Sequence, residues 1–137
     1  MTSRLQMDIS KAHCRTFLAE EEIDQYAILK QGTDKENQVL LATDDNDRFV
    51  GVAVSGNAIN QPVTVCEHGG YIPLLCDLAI TDLNMPLYID ASAPQRVTST
   101  LSASAGTYYR VGYSKSITAA AAEYVLVYID PAVVVVS

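Results

Sequence analysis

The sequence predicts an all-β fold, a small barrel or sandwich, on three observations. From Tyr26 onward, short β-prone runs alternate with turn-forming residues. Within the runs, apolar side chains recur at every second position, the period of a strand with two faces. The whole pattern occurs twice, in two diverged units of roughly 60 residues.

The expected strands are Gln25–Lys30, Gln38–Thr43, Arg48–Val54, Pro62–Glu67, Leu87–Asp90, Tyr108–Tyr113 and Glu123–Ile129. Between them lie Gln31–Asn37, Asp44–Asp47, Ser55–Asn57, Gly69–Gly70 and Ala91–Pro94, rich in the Gly, Asn, Asp and Ser that turns require. In Tyr124–Ile129, Val125, Val127 and Ile129 fall on one face, and Tyr124, Leu126 and Tyr128 on the other. Outside the first twenty-odd residues, Ala119 to Ala122 is the best helix-forming stretch, so a long helix over residues 118–127 would overturn the all-β reading.

The duplication rests on aligned residues. Arg48–Ser55 resembles Tyr109–Ser116, with Gly51 and Gly112 matched 61 residues apart. Val63-Thr64-Val65 matches Val125-Leu126-Val127 at 62, and Tyr26-Ala27-Ile28 is matched to Leu87-Tyr88-Ile89 at 61. A glycine inside a strand marks a bulge, a bend or close backbone approach. Two copies are too few for a solenoid, so two similar units packed together are expected.

Three segments follow: an N-terminal arm (1–24), a β domain (25–131) and an apolar C-terminal tail (132–137). Charges, Ala and Leu in Asp8–Glu22, with an imperfect stripe of Ile9, Ala12, Phe17 and Leu18, suggest one short helix in the arm. The tail, Ala132 to Val136, is uncharged and β-prone. Free, it is an aggregation hazard. It is expected to pair with a neighbouring copy or another protein, or to close its own barrel.

Composition narrows function. The net charge of −7 and scattered basic residues disfavour nucleic acid as a partner. No apolar run has the length of a membrane span, and Met1 to Ile9 lacks a signal-peptide core. Three cysteines, Cys14, Cys66 and Cys76, are odd in number and irregularly spaced, against a disulfide framework; reduced, buried thiols are expected. Eight Tyr and two Phe with no Trp suit half-buried strands and wet interfaces.

No residue is assigned a catalytic, cofactor-binding or metal-binding role. Asp44-Asp45-Asn46-Asp47 offers oxygen ligands for Ca²⁺, but without a turn Gly or distal Glu it reads as a polar hairpin turn. Cys66, His68 and Cys76, even with His13 and Cys14, lack zinc-site spacing. Cys66 with His68 has no orienting acid for nucleophilic work, and no nucleophile elbow or phosphate loop occurs. Glu20-Glu21-Glu22 reads as a solvated face, or as a contact for basic residues of a partner.

The series Arg48–Val54 then Gln61–Val65, its echo Tyr109–Tyr113 then Tyr124–Asp130, and the intervening Met85–Asp90 together resemble the capsid decoration, or cement, proteins of tailed bacteriophages. That family is related in architecture to the lambda-type head decoration proteins. The resemblance covers roughly Tyr26 to Pro131. Three features depart from it: Asn60 or Gln61 stands in place of the usual Gly, Ala119–Ala122 forms a long connection, and the arm is longer. The resemblance implies a non-enzymatic virion protein, made in the host cytoplasm and placed on the outer capsid surface. Its partners would be the major capsid protein, across subunit seams, and itself, as a dimer or trimer; no cofactor is implied. The alternative is a non-catalytic binding module, for glycans or for phage adsorption.

Overall fold

Alternation makes each strand two-faced, and closing the strands on themselves hides one face. In the computed structural model, which describes residues 6–137, there are ten strands and no helix among the described residues. The first unit holds β1 (His13–Ala19), β2 (Ile28–Gln31), β3 (Gln38–Leu41), β4 (Phe49–Ala53) and β5 (Pro62–His68). The second holds β6 (Tyr71–Leu75), β7 (Pro86–Ile89), β8 (Val97–Thr98), β9 (Gly106–Ser114) and β10 (Tyr124–Val136). The chain is all-β, as its alternation predicts.

The first unit is a closed barrel in the order β1-β3-β2-β4-β5. The second is a five-stranded sheet in the order β6-β10-β9-β7-β8. These are the same order, strand for strand, with β1 answering to β6. The closing contact of the first unit has a reduced counterpart: β1 and β3 pair in parallel at Ala19↔Val39, and in the open second sheet a single isolated parallel bridge joins Cys76 to Val97.

Register confirms the duplication residue by residue. Gly51 pairs with Leu29 and Gly112 with Leu87, and each pair is followed at once by a β-bulge. Phe17 pairs with Val63, and Leu74 with Val125. Turn bonds recur too: Tyr26 N–H donates to Ala53 and Asn84 N–H to Ser114, both at 2.7 Å. Among the described residues, the four non-glycine residues with left-handed backbone form two matching pairs, Tyr26 with Asn84 and Asn60 with Ala122. Val50 therefore answers to Val111, and Val63 to Val125, as aligned from sequence. The match of Tyr26–Ile28 to Leu87–Ile89 is corrected: pairing puts Ile28 opposite Val52 and Pro86 opposite Tyr113, so Ile28 answers to Pro86.

Each unit fills its own interior. Phe17, Ala19, Ile23, Leu29, Val39, Ala53, Val63 and Val65 form the first cluster. Leu74, Cys76, Ile80, Leu87, Val97, Val125 and Val127, at the matching positions, lie in the second. Where Ala53 sits in the first unit, Ser114 sits in the second. Its buried hydroxyl donates to the Asp82 carbonyl at 2.7 Å and accepts the Met85 amide at 2.9 Å. A buried polar side chain is tolerated there because both of its bonds are made.

The expectation at the N-terminal end needs correction, and of the alternatives open for the C-terminal tail it is the pairing within its own chain that the structure shows. The segment expected as an N-terminal arm with a short helix contains β1, which closes the first barrel between β5 and β3. Phe17 and Ala19, two residues apart, are buried, while Arg15, in the same alternation, is exposed over the Phe17 ring and bonds Glu67. Residues 1–5 of the expected arm lie outside the described residues. The apolar tail continues β10, with Ala132–Val136 paired to Gly106–Arg110 of β9. Pro131 occupies the register shift between Ile129 and Ala132, where its missing N–H costs least. β6 escaped the sequence reading because Pro73 interrupts it; an edge strand accommodates that residue.

Candidate interaction surface

The outward faces of the two units differ, and this difference defines the surface of interest. One row of side chains crosses the first unit through Cys14, Cys66, Val52 and Ile28, each the pairing partner of the next. The matching row in the second unit is Tyr71, Tyr128, Tyr113 and Pro86. The first row is covered. Ile28, Val52 and Cys66 are fully buried in one cluster with Ile72, Val111 and Ile129 of the second unit. The second unit does not bury its own row: Tyr71 and Pro86 are exposed, and Tyr113 and Tyr128 are half-buried.

The docking of the units is pinned by polar groups as well as by apolar burial. Gln95, from the second unit, accepts the Ile28 amide at 2.8 Å. It donates to the Ile28 carbonyl at 2.8 Å and the Ala42 carbonyl at 3.0 Å. Ile129 exchanges amide and carbonyl bonds with Gly69 and Gly70, each at 2.8 Å, at the link between the units.

The tyrosine row is amphipathic and flanked by cations. The Tyr71 and Tyr128 rings meet at 5.1 Å with a 54° tilt. The Arg110 guanidinium lies 4.4 Å from the centre of the Tyr113 ring and pairs with Asp130 at 3.2 Å. Lys115 approaches Tyr128 at 6.0 Å while holding Asn84. Tyr124, on the same strand as Tyr128 and two pleats away, is 51% exposed. Rings with a polar tip, together with arginine, are the side chains enriched where protein surfaces meet.

The sequence-singled residues fall elsewhere. In the Asp44–Asp47 segment, Asp47 accepts the amides of Thr43 at 2.8 Å and Asp44 at 3.0 Å, and lies 3.3 Å from the Lys30 ammonium. It is a polar turn, but not the hairpin expected from sequence: it joins β3 to β4, which flank β2 on opposite sides and do not pair with each other. Burial opposes ionisation of Asp47, but the Thr43 amide and Lys30 outweigh it and hold the carboxyl below its usual range. Among the described residues, no group of His, Cys, Asp and Glu is placed to hold a metal. Cys66 and His68 sit at the end of β5, whereas Cys76 lies in the second interior beside the Thr118 hydroxyl at 3.3 Å. His68 stacks on His13 at 5.2 Å, and Glu67 bonds Arg15 at 2.8 Å.

Glu20 and Glu21 are more than a solvated face. Glu20 accepts the Thr33 amide at 2.9 Å and hydroxyl at 2.8 Å, which lowers its carboxyl, and Glu21 accepts the Leu41 amide at 3.3 Å. They tie the end of β1 to the β2–β3 hairpin. A groove of about 470 Å³ is lined almost wholly by the second unit, including Asp77, Tyr88, Asp90 and Tyr108, with Asp45 added from the first. Asp90 is already engaged there, accepting the Ser92 and Ala93 amides at 2.9 and 3.0 Å. Compared with known proteins, the sequence matches no family model and no curated protein.

Proposed function

We propose that this chain is a non-catalytic structural protein of a tailed-phage virion. It would bind the outer capsid surface across seams between major capsid subunits and stabilise the assembled head. The observation that carries the reading is the unburied Tyr71–Tyr128–Tyr113 row. It occupies the position by which the first unit docks on the second, so the fold already uses this face for association. The sequence resemblance to decoration proteins supplies the identity of the partner. The mechanism is linkage: a protein that binds only the intact lattice stabilises it by mass action, and many weak copies act together. The acidic surface, with a net charge of −7, suits a shell whose outer face presents basic groups.

The test is co-sedimentation of the purified chain with capsid shells that lack it. Saturable, stoichiometric pelleting is expected, weakened at least tenfold by Tyr71→Ser with Tyr128→Ser. Absence of pelleting with shells of the phage encoding the chain would reject the reading. The same tyrosine row favours one alternative, a glycan-binding or adsorption module, because aromatic faces stack on sugars. Retention on glycan arrays without capsid binding would select it.

A further inference from the structure

The covered row of the first unit brings together two thiols that lie far apart in sequence. Cys14 of β1 and Cys66 of β5 are direct pairing partners across an antiparallel ladder. Directly opposed residues have Cα atoms roughly 4.5–5.5 Å apart and side chains on the same face. That separation lies inside the range disulfides adopt, roughly 4.4–6.8 Å. The matching pair in the second unit, Tyr71 and Tyr128, has its rings in contact, so side chains at this pair of positions do meet. We propose that Cys14 and Cys66 form a redox-sensitive pair that closes to an intramolecular disulfide when the protein meets a low-molecular-weight disulfide oxidant.

The surroundings set the order of events. Cys66 is fully buried, and a Cβ added at Gly70 would stand 2.7 Å from its sulfur, so no reagent reaches it first. Burial, then the neighbouring Cys14 thiol, pushes the Cys66 thiol up to about 11. Cys14 is half-buried and is the entry point. Its thiolate attacks one sulfur of oxidised glutathione, the S–S bond breaks, and one glutathione leaves as thiolate. Cys66 then gives its proton to solvent and attacks the Cys14 sulfur, which expels the second glutathione. The protein dithiol is oxidised by two electrons and the glutathione disulfide reduced by two. Cys76, enclosed in the second unit beside Thr118 and the Ala120 carbonyl, takes no part.

The consequence falls on β1, the strand that closes the first barrel. The bond would link residues 52 positions apart and hold β1 to β5 permanently. Such a link stabilises mainly by restricting the unfolded chain, and it raises the melting temperature by roughly 5–15 °C.

The experiment uses the full chain, incubated with oxidised glutathione and then denatured and alkylated. Thiols are expected to fall from three to one per chain, without intermolecular products. The intact mass should drop by two hydrogens, and the melting point should rise and return with a dithiol reductant. Cys76→Ser should end with no thiols, and Cys14→Ser should keep both of its own. Cys66→Ala serves as a second block at the partner position. Three thiols surviving in the wild type, glutathione retained on Cys14, or equal thiol loss in Cys14→Ser would each overturn the proposal.

Discussion

Gly112→Ala is the most revealing single substitution. Gly112 pairs with Ile129 on one side and Leu87 on the other, at the bulge common to both units. A Cβ built there would collide with the carbonyl oxygen of Tyr128, well inside the 3.0 Å that real Cβ atoms essentially never breach. The obstacle is backbone of the adjoining strand, so no rotamer change relieves it. β9 and β10 must spread, which disturbs their ladder and the Tyr128–Tyr113 row. Overpacking costs about 1–3 kcal/mol, and loss of ladder geometry adds to it; the entropic gain of Ala over Gly returns less than about 1 kcal/mol. The expected net loss is about 3 kcal/mol, or a melting point lower by roughly 10 °C. Gly51→Ala meets the Cys66 carbonyl in the same way and should lose about 2 kcal/mol. Urea denaturation with an unchanged m-value measures both. A loss below about 0.5 kcal/mol at Gly112 would refute the close-approach account.

Further substitutions test other levels of the structure. Gln95→Ala removes the partner of the Ile28 amide and the side-chain donor to the Ala42 carbonyl, while the Ile28 carbonyl keeps the Ala42 amide at 2.9 Å; it should cost about 2 kcal/mol in urea unfolding, with looser docking of the units seen as faster amide exchange at Ile28. Ala122, with φ of 63°, carries the left-handed strain that Asn60 carries more easily in the first unit, so Ala122→Gly should raise stability by about 1 kcal/mol. Asp47→Ala should cost about 1 kcal/mol at neutral pH. Because the folded carboxyl is held below its ordinary value of 3.8, that contribution is present above about pH 4 and disappears as pH falls through the folded value, so wild type and variant should converge in acid melts. Deleting residues 1–22 removes β1 and should unfold the first barrel, read as loss of the cooperative transition, whereas a dispensable arm would leave it intact.

The all-β class was legible in the sequence because period-two burial and turn residues are local signals. So was the repeat over Arg48–Val65 and Tyr109–Val127, since Gly51 and Gly112 answer to the same backbone clash. β1 was not legible. Its Leu18 and Ala19, running into Glu20–Glu22, carry a helical preference, and only the partners Val63 and Val39 across the barrel make it a strand. β6 was hidden by Pro73, which is harmless at a sheet edge and forbidding in a strand interior. Nor could spacing reveal that Cys14 meets Cys66, or that the second unit leaves its tyrosine row open while the first buries Cys66, Val52 and Ile28. Propensity and alternation are properties of neighbours in the chain, and they determined that there would be strands and which side of each would be apolar. Which strand closes a barrel, and which outer face is covered, depend on contacts between residues some fifty positions apart, and the tertiary structure alone decided them.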